Sequence, residues 1–314
     1  MMKMKPVYAG ILTSALALAP YAGRTENPII TGIYTADPSA RVFNGRMYLY
    51  PSHDRDDSQT WDMTDWHVFS SKDMVSWTDH GVALGIKDIP FAKKYAWAPD
   101  CAFRNGKYYF YFPVSMENGK NTDRVGVAVG DSPEGPFKCR PNPLVSGYPR
   151  AFDPCVFTDE DGTAYLVTGQ RHIFIAKLKE NMTELAEPQK PIAGAKGFFE
   201  AVWMHKYNGK YYLSYSSGPS ICYALADNPY GPFEFKGDIL ISKGMPQPAN
   251  TTHHSIVQYQ GKWYMFYHNR KLAEDRKAPK PDYKRSVCVN ELFYKPDGTI
   301  VPVKATVEGI KPVK

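Results

Sequence analysis

The sequence lacks the features that would mark it as a nucleic-acid binder, a membrane-spanning chain or a disulfide-stapled scaffold. Its 38 Lys and Arg face 32 Asp and Glu over 314 residues, and no block of like charges stands out. A formal charge of +6 so dispersed gives no electrostatic footprint for nucleic acid. The apolar run from Val7 to Ala19 is too short to cross a bilayer. Preceded by Lys3 and Lys5 and followed by small residues, residues 1–22 read as a secretory signal peptide, which predicts a secreted or periplasmic protein with no stable membrane insertion once mature. The five cysteines contain no CxxC pair, and an odd number cannot all pair within one chain, so they are expected as small core residues. No long helical period is present either.

What the chain has is aromatic strand sequence. Aromatics make up 14% of the residues, with 22 Tyr, a composition that fits a pleated sheet. The stretch from Phe198 to Tyr215 reads as one unit. An acid, Glu200, heads an apolar strand, Asn208-Gly209 supplies a hairpin turn with positive φ, and Tyr211 to Tyr215 returns. The same grammar recurs with turn glycines at 45, 106, 162 and 261. A repeat of roughly fifty residues, each holding enough strand for a four-stranded sheet, predicts an all-β chain folded as a five-bladed β-propeller over residues 27–314. A second repeat agrees with the first: Gly130-Asp131-Ser132-Pro133-Glu134-Gly135-Pro136-Phe137 returns as Ala226-Asp227-Asn228-Pro229-Tyr230-Gly231-Pro232-Phe233.

Each blade of a propeller begins with its innermost strand, and these strands run the same way along the central axis. The residues that head them therefore face one mouth. Here they are Asp37, Asp100, Asp153, Glu200 and His253, placed 8, 6, 9, 9 and 8 residues before their turn glycines. Carboxylates converging on one opening raise one another's pKa, an arrangement that suits chemistry or cation binding.

The surroundings of these heads carry a resemblance. Ala36-Asp37-Pro38-Ser39, Tyr95-Ala96-Trp97-Ala98-Pro99-Asp100, Phe152-Asp153-Pro154, Phe199-Glu200-Ala201 and Phe266-Tyr267-His268-Asn269-Arg270 stand in order over about Asn27 to Gly309. Together they resemble glycoside hydrolase family 43, a family of five-bladed propellers. The resemblance implies an inverting hydrolase of α-L-arabinofuranosyl or β-D-xylosyl linkages, acting on arabinose- or xylose-containing oligo- or polysaccharides. It implies Asp37 as general base, Glu200 as general acid, and Asp153 as the residue that orients Glu200 and raises its pKa. It further implies that Arg270 contacts the sugar and that a calcium lies at the channel centre beside His253. Trp97, Phe199 and Asp100 are the other candidates for contact with substrate. Two alternatives stay open on the sequence: an endo-acting arabinanase of the same family, and a propeller that binds glycans without cleaving them. His53-Asp54, Trp61 and Trp66 belong to first-blade segments expected to shape the pocket. Residues 29–34 are expected to meet the last blade and close the ring, Gly298 to Val303 to form a final strand, and the Lys- and Pro-rich Lys271 to Lys284 to form a surface loop.

Overall fold

The computed structural model describes residues 25–116 and 123–313, and the expected signal peptide lies outside them. The repeat unfolds as five sheets. Blade one is β1 (Tyr34–Phe43), β2 (Arg46–Asp54), β3 (Asp65–Ser71) and β4 (Thr78–Gly85). Blade two is β5 (Asp100–Arg104), β6 (Lys107–Ser115), β7 (Asp123–Gly130) and β8 (Lys138–Cys139), with β9 (Val145–Ser146) also on β7. Blade three is β10 (Cys155–Thr158), β11 (Ala164–Thr168), β12 (Ile173–Lys177) and β13 (Lys190–Ile192). Blade four is β14 (Glu200–Tyr207), β15 (Lys210–Ser216), β16 (Ser220–Ala226) and β17 (Glu234–Ile241). Blade five is β18 (His254–Tyr259), β19 (Lys262–Asn269) and β20 (Ser286–Leu292), with the short helix α1 (Lys271–Asp275) before β20.

The inner hairpins turn where the sequence placed them. Asn44-Gly45, Asn105-Gly106, Asn208-Gly209 and Gln260-Gly261 all hold positive φ at both central residues, the geometry whose twist matches the flanking strands. Only the third differs: Gly162 alone is left-handed there, and Asp159 pairs across a wider loop with Thr163. Apolar side chains then pack blade against blade. One cluster joins Tyr48, Tyr50 and Trp66 of blade one to Phe110 and Phe112 of blade two, which makes Trp66 a core residue and not a pocket one.

The repeated Pro-Phe motif also has a structural purpose. In each copy the buried Phe donates its backbone N–H to the blade before it, Phe137 to Ala83 O at 3.2 Å and Phe233 to Ala193 O at 3.0 Å. The motif is a clip between neighbouring blades.

Blade five has three strands, and the N-terminal segment supplies its outer partner. Ile29 N donates to Val287 O at 2.8 Å, and the Asn27 side chain both donates to Val289 O and accepts from Val289 N. The ring closes as expected, though through residues 25–29 more than through 29–34. The tail 298–303 is not a final strand: it is extended chain with one bridge, Tyr294 to Ile300, and Val303 N donates to Ile239 O of blade four. The Lys- and Pro-rich segment 271–284, expected as a surface loop, instead buries Leu272, Ala273 and Lys284.

Candidate active site

Asp37, Asp153, Glu200 and His253 meet at one mouth of the axis, all buried, in a cavity of about 350 Å³. The local backbone explains how. Asp37 and Asp153 hold φ of 47° and 40°, and Ala201, next to Glu200, holds 59°. The β1–β2 register slips between Ala36 and Ser39, and β14–β15 slips between Glu200 and Trp203. Bulges of this kind re-aim a side chain at the cost of strain, and they gather at functional sites. Each one swings a carboxyl off its strand toward the axis.

Asp37 is held by blade five. Arg285 donates Nη1 to Asp37 Oδ1 at 2.7 Å and Nη2 to Oδ2 at 3.2 Å, and the Ser52 hydroxyl donates to Oδ2 at 2.7 Å. The same guanidinium binds Asp54, through Nε at 2.9 Å and Nη2 at 2.8 Å. His268 Nδ1 accepts the Asp37 backbone N–H at 3.0 Å. Burial alone would raise the Asp37 carboxyl, but Arg285, His253, His268 and Ser52 together outweigh it and hold the group well below the usual carboxylate range. The ionised form of Asp37 is thereby favoured. His268, buried beside Arg285, is pushed down to about 3 and stays a neutral acceptor.

Across the cavity the other two acids form a close set. Asp153, Glu200 and His253 bring one ligand atom each within 4.8 Å of one another. Asp153 Oδ2 accepts the Ala201 N–H at 2.9 Å, while Gln170 Nε2 donates to Glu200 Oε2 at 2.9 Å. Asp153 is pushed up to about 7, chiefly by burial and further by the Glu200 charge, against the pull of His253. His253 stands between both sides, Nδ1 3.5 Å from Asp37 Oδ1 and Nε2 3.3 Å from Glu200 Oε1. Burial would lower it, but Asp37, Asp153 and Glu200 raise it to about 9. The imidazole is a cation near neutral pH.

Trp61, Met63, Trp97, Phe152 and Phe199 form the apolar wall. Trp97 is fixed by the Tyr95 ring stacked on it at 4.5 Å and by its indole N–H donating to Trp61 O at 2.9 Å.

Two expected contacts lie elsewhere. Asp100 is fully buried and lines no part of this cavity. It accepts from Ser39 Oγ at 2.6 Å, Arg41 Nε at 2.8 Å and the backbone N–H of Val156 at 2.6 Å, so every direction a sugar would approach from is filled by protein. Arg270 turns outward to pair with Glu274 and Asp282. Arg285, and not Arg270, lines the cavity. The sequence offered one cue for it, a lone Arg at the head of the apolar strand β20, but the Lys-rich flank before it resembles solvated surface. Gln170 and Asp123, which also line the cavity, carried no signal in the sequence.

A metal is compatible with the cluster. Asp37, Asp54, Asp153 and Glu200 face two cationic side chains, Arg285 and His253, and below them on the axis lies a void of about 20 Å³ lined by Asp37, Ser39, Asp153 and His253. That is room for one ion or water. Calcium takes six to eight oxygens, so most of its shell there would be water.

A five-bladed ring with buried acids facing one another across a sugar-sized cavity defines a glycoside-hydrolase propeller. Residues 25–300 match the profile of glycosyl hydrolases family 43, and the chain belongs to that family. It is 43% identical to a xylosidase/arabinosidase of Humicola insolens, over 88% of this chain and 99% of that one. A xylosidase/arabinosidase of Bacteroides ovatus is 39% identical, over 88% and 97%. Among solved structures, a β-xylosidase/α-arabinofuranosidase from a compost microbial metagenome, in complex with xylotriose and in a calcium-free form, is 41% identical. It superposes with a TM-score of 0.80 over 90% of this chain and 98% of that one.

Proposed function

We propose that the protein releases single xylose or arabinose units from the ends of xylo-oligosaccharides and arabinosylated fragments, with inversion, using Asp37 as base and Glu200 as acid. The observation that carries this reading is the opposition of Asp37 to the Asp153–Glu200 pair across one cavity. The oxygens of Asp37 and Glu200 are bridged by the width of a single imidazole, with contacts of 3.5 and 3.3 Å at its two ends. They are thus at most about 9 Å apart, below the upper end of the roughly 6.5–9.5 Å that inverting enzymes use to admit a water between acid and base.

In the reaction, Asp37 takes a proton from that water as its oxygen bonds to the anomeric carbon. The bond to the leaving oxygen breaks on the far side, and Glu200 protonates that oxygen. Arg285 keeps Asp37 ionised and fixed. The Asp153–Glu200 pair must hold one proton between them, and the value of about 7 for Asp153 supports its retention up to near neutrality. Gln170 and Asp153 orient the acid from either side, and the Trp97 and Phe199 rings offer flat faces to a sugar. A calcium beside His253, held mainly by water, would supply fixed positive charge beside these carboxylates. A volume of about 350 Å³ suits a short terminal segment of a sugar chain and so favours an exo-acting enzyme over an endo-acting arabinanase. Export directed by residues 1–22 completes the reading.

The test is release of nitrophenol from nitrophenyl β-xyloside and α-arabinofuranoside, together with the products formed from xylo-oligosaccharides. We expect monosaccharide as the first product and a loss of 10²- to 10⁴-fold in Asp37→Asn. Internal cleavage products, or sugar binding without turnover in the unaltered protein, would overturn it. On chelated protein kcat/KM should fall as pH rises through about 7, and Asp153→Asn should move that limb downward by removing a neighbouring charge. An unmoved limb would remove Asp153 from its role.

A further inference from the structure

Blade one carries a second convergence of ligating side chains, away from the cavity. His53 near the end of β2 faces Asp65 and His67 of β3, which lie two residues apart and so project from one face of the sheet. Their side chains are 22%, 23% and 15% exposed, which leaves a route in from solvent. His53 Nδ1 is 2.7 Å from Asp65 Oδ1, and His67 Nε2 is 4.0 Å from the same oxygen. One ligand atom from each residue falls within 4.8 Å of the others.

The other nitrogen of His67 decides what this group suits. Nδ1 lies 3.0 and 3.1 Å from the two oxygens of Asp79 on β4, and Asp79 Oδ1 is itself anchored by the Gly81 N–H at 2.8 Å. A carboxylate only accepts, so Nδ1 of His67 carries the hydrogen and Nε2 presents its lone pair toward His53 and Asp65; by the same rule His53 Nδ1 donates to Asp65 Oδ1 in the metal-free protein, and a metal would displace that hydrogen. A carboxylate behind the far nitrogen is how metal-ligating histidines are oriented and made more basic. Tetrahedral zinc, with Zn–N near 2.0 Å, needs donors roughly 3.3 Å apart, and the separations of 2.7 and 4.0 Å lie on either side of that. Two imidazoles and one carboxylate favour a first-row transition metal over calcium, which prefers oxygen.

We propose that His53, Asp65 and His67 bind one Zn²⁺, with the fourth position open to water and Asp79 orienting His67. The site is distinct from the catalytic cluster, because the next residue, Asp54, turns the opposite way to hold Arg285. The ladder between β2 and β3 runs only from Met47–Ser71 to Leu49–Phe69, so a metal would tie the two strands beyond the end of their pairing. It would thereby brace the strand that carries Asp54.

The experiment is calorimetric titration of ZnCl₂ into the tag-free full chain, stripped by chelator and held in excess calcium so that oxygen-rich sites are filled. We expect one equivalent bound, abolished in His53→Gln and in His67→Gln, weakened 10- to 100-fold in Asp79→Asn, and unchanged in Glu200→Gln. Bound Co²⁺ should give the visible absorption of a tetrahedral site in the unaltered protein and lose it in His67→Gln. Asp79→Asn, which keeps all three ligands, carries the test if a His variant fails to fold by circular dichroism. Absence of saturable uptake, uptake untouched by His67→Gln, or uptake lost in Glu200→Gln would each overturn the proposal.

Discussion

Which way a carboxyl faces is decided here by single residues in the left-handed region. Asp37 and Asp153 occupy it themselves, each followed by Pro, and Ala201 occupies it on behalf of Glu200. Ala201→Gly, which takes that conformation without strain, should leave kcat within about twofold, whereas Ala201→Val should lower it at least tenfold by disfavouring the bulge. Equal rates in the two variants would show that the bulge does not aim Glu200. Arg285 and Asp100 make a second contrast at this scale. Arg285→Lys keeps a charge but loses the fork shared by Asp37 and Asp54, so we expect kcat/KM to fall by about 10²-fold and the acidic limb of the pH profile to rise as the hold on Asp37 weakens. Asp100→Asn should lower stability by about 3–5 kcal/mol through its broken pairing with Arg41 while leaving KM unchanged in the protein that stays folded. A raised KM with unchanged stability would return Asp100 to the substrate.

Among elements, the inner hairpins were legible because two physical rules coincide in them: a turn that requires two left-handed residues, and a returning strand that must be apolar on both faces to fill the space between blades. That pattern located the heads of the inner strands, and with them Asp37, Asp153, Glu200 and His253. It could not say which heads reach the mouth and which stay inside the ring. Asp100 has the same grammar, yet β5 starts without a bulge and its carboxyl stays buried inside the ring against Arg41 and the Val156 N–H. Nor could it see Arg285, which heads a third strand and reaches the site only because β20 lies beside β1 across the ring closure. The Pro-Phe repeat was visible as a motif, but its purpose needed the neighbouring blade. Phe233→Ala, which removes the buried plug of that clip, should cost about 3–5 kcal/mol in urea unfolding with activity retained in the folded fraction. A loss below about 1 kcal/mol would mean that the clip is decorative.

For the molecule as a whole, the axis is held by a chain of contacts through every blade. Arg41 of blade one binds Asp100 of blade two, donates to Val156 O of blade three at 2.8 Å, and lies over the Trp203 ring of blade four at 4.2 Å. Trp203 in turn donates its indole N–H to Ile256 O of blade five at 2.9 Å. Burial of histidines couples this ring to pH. His205, His254 and His268 are each lowered to about 3, with burial the largest cause, while Asp153 is raised to about 7. Between about pH 6.5 and 4.5 the unfolded chain takes up a proton at each of those three histidines that the native state refuses, and the native state keeps one at Asp153 that the unfolded chain gives up. His253 is protonated in both states there. The net uptake on unfolding is about two protons, so stability should fall with acidification by roughly 2.7 kcal/mol per pH unit. Urea midpoints across that window on chelated protein measure the slope, and His205→Gln should reduce it by about one proton.

The proposed chemistry requires Glu200 to give a proton to the leaving oxygen from the side of the cavity opposite Asp37. The most direct measurement compares Glu200→Ala on xylobiose, whose departing sugar needs that proton, with the same variant on nitrophenyl xyloside, whose leaving group needs it far less. We predict that turnover of xylobiose falls at least 10²-fold further than turnover of the nitrophenyl substrate. An equal loss on both, or activity on xylobiose that survives the substitution, would contradict the assignment of the acid and with it the mechanism.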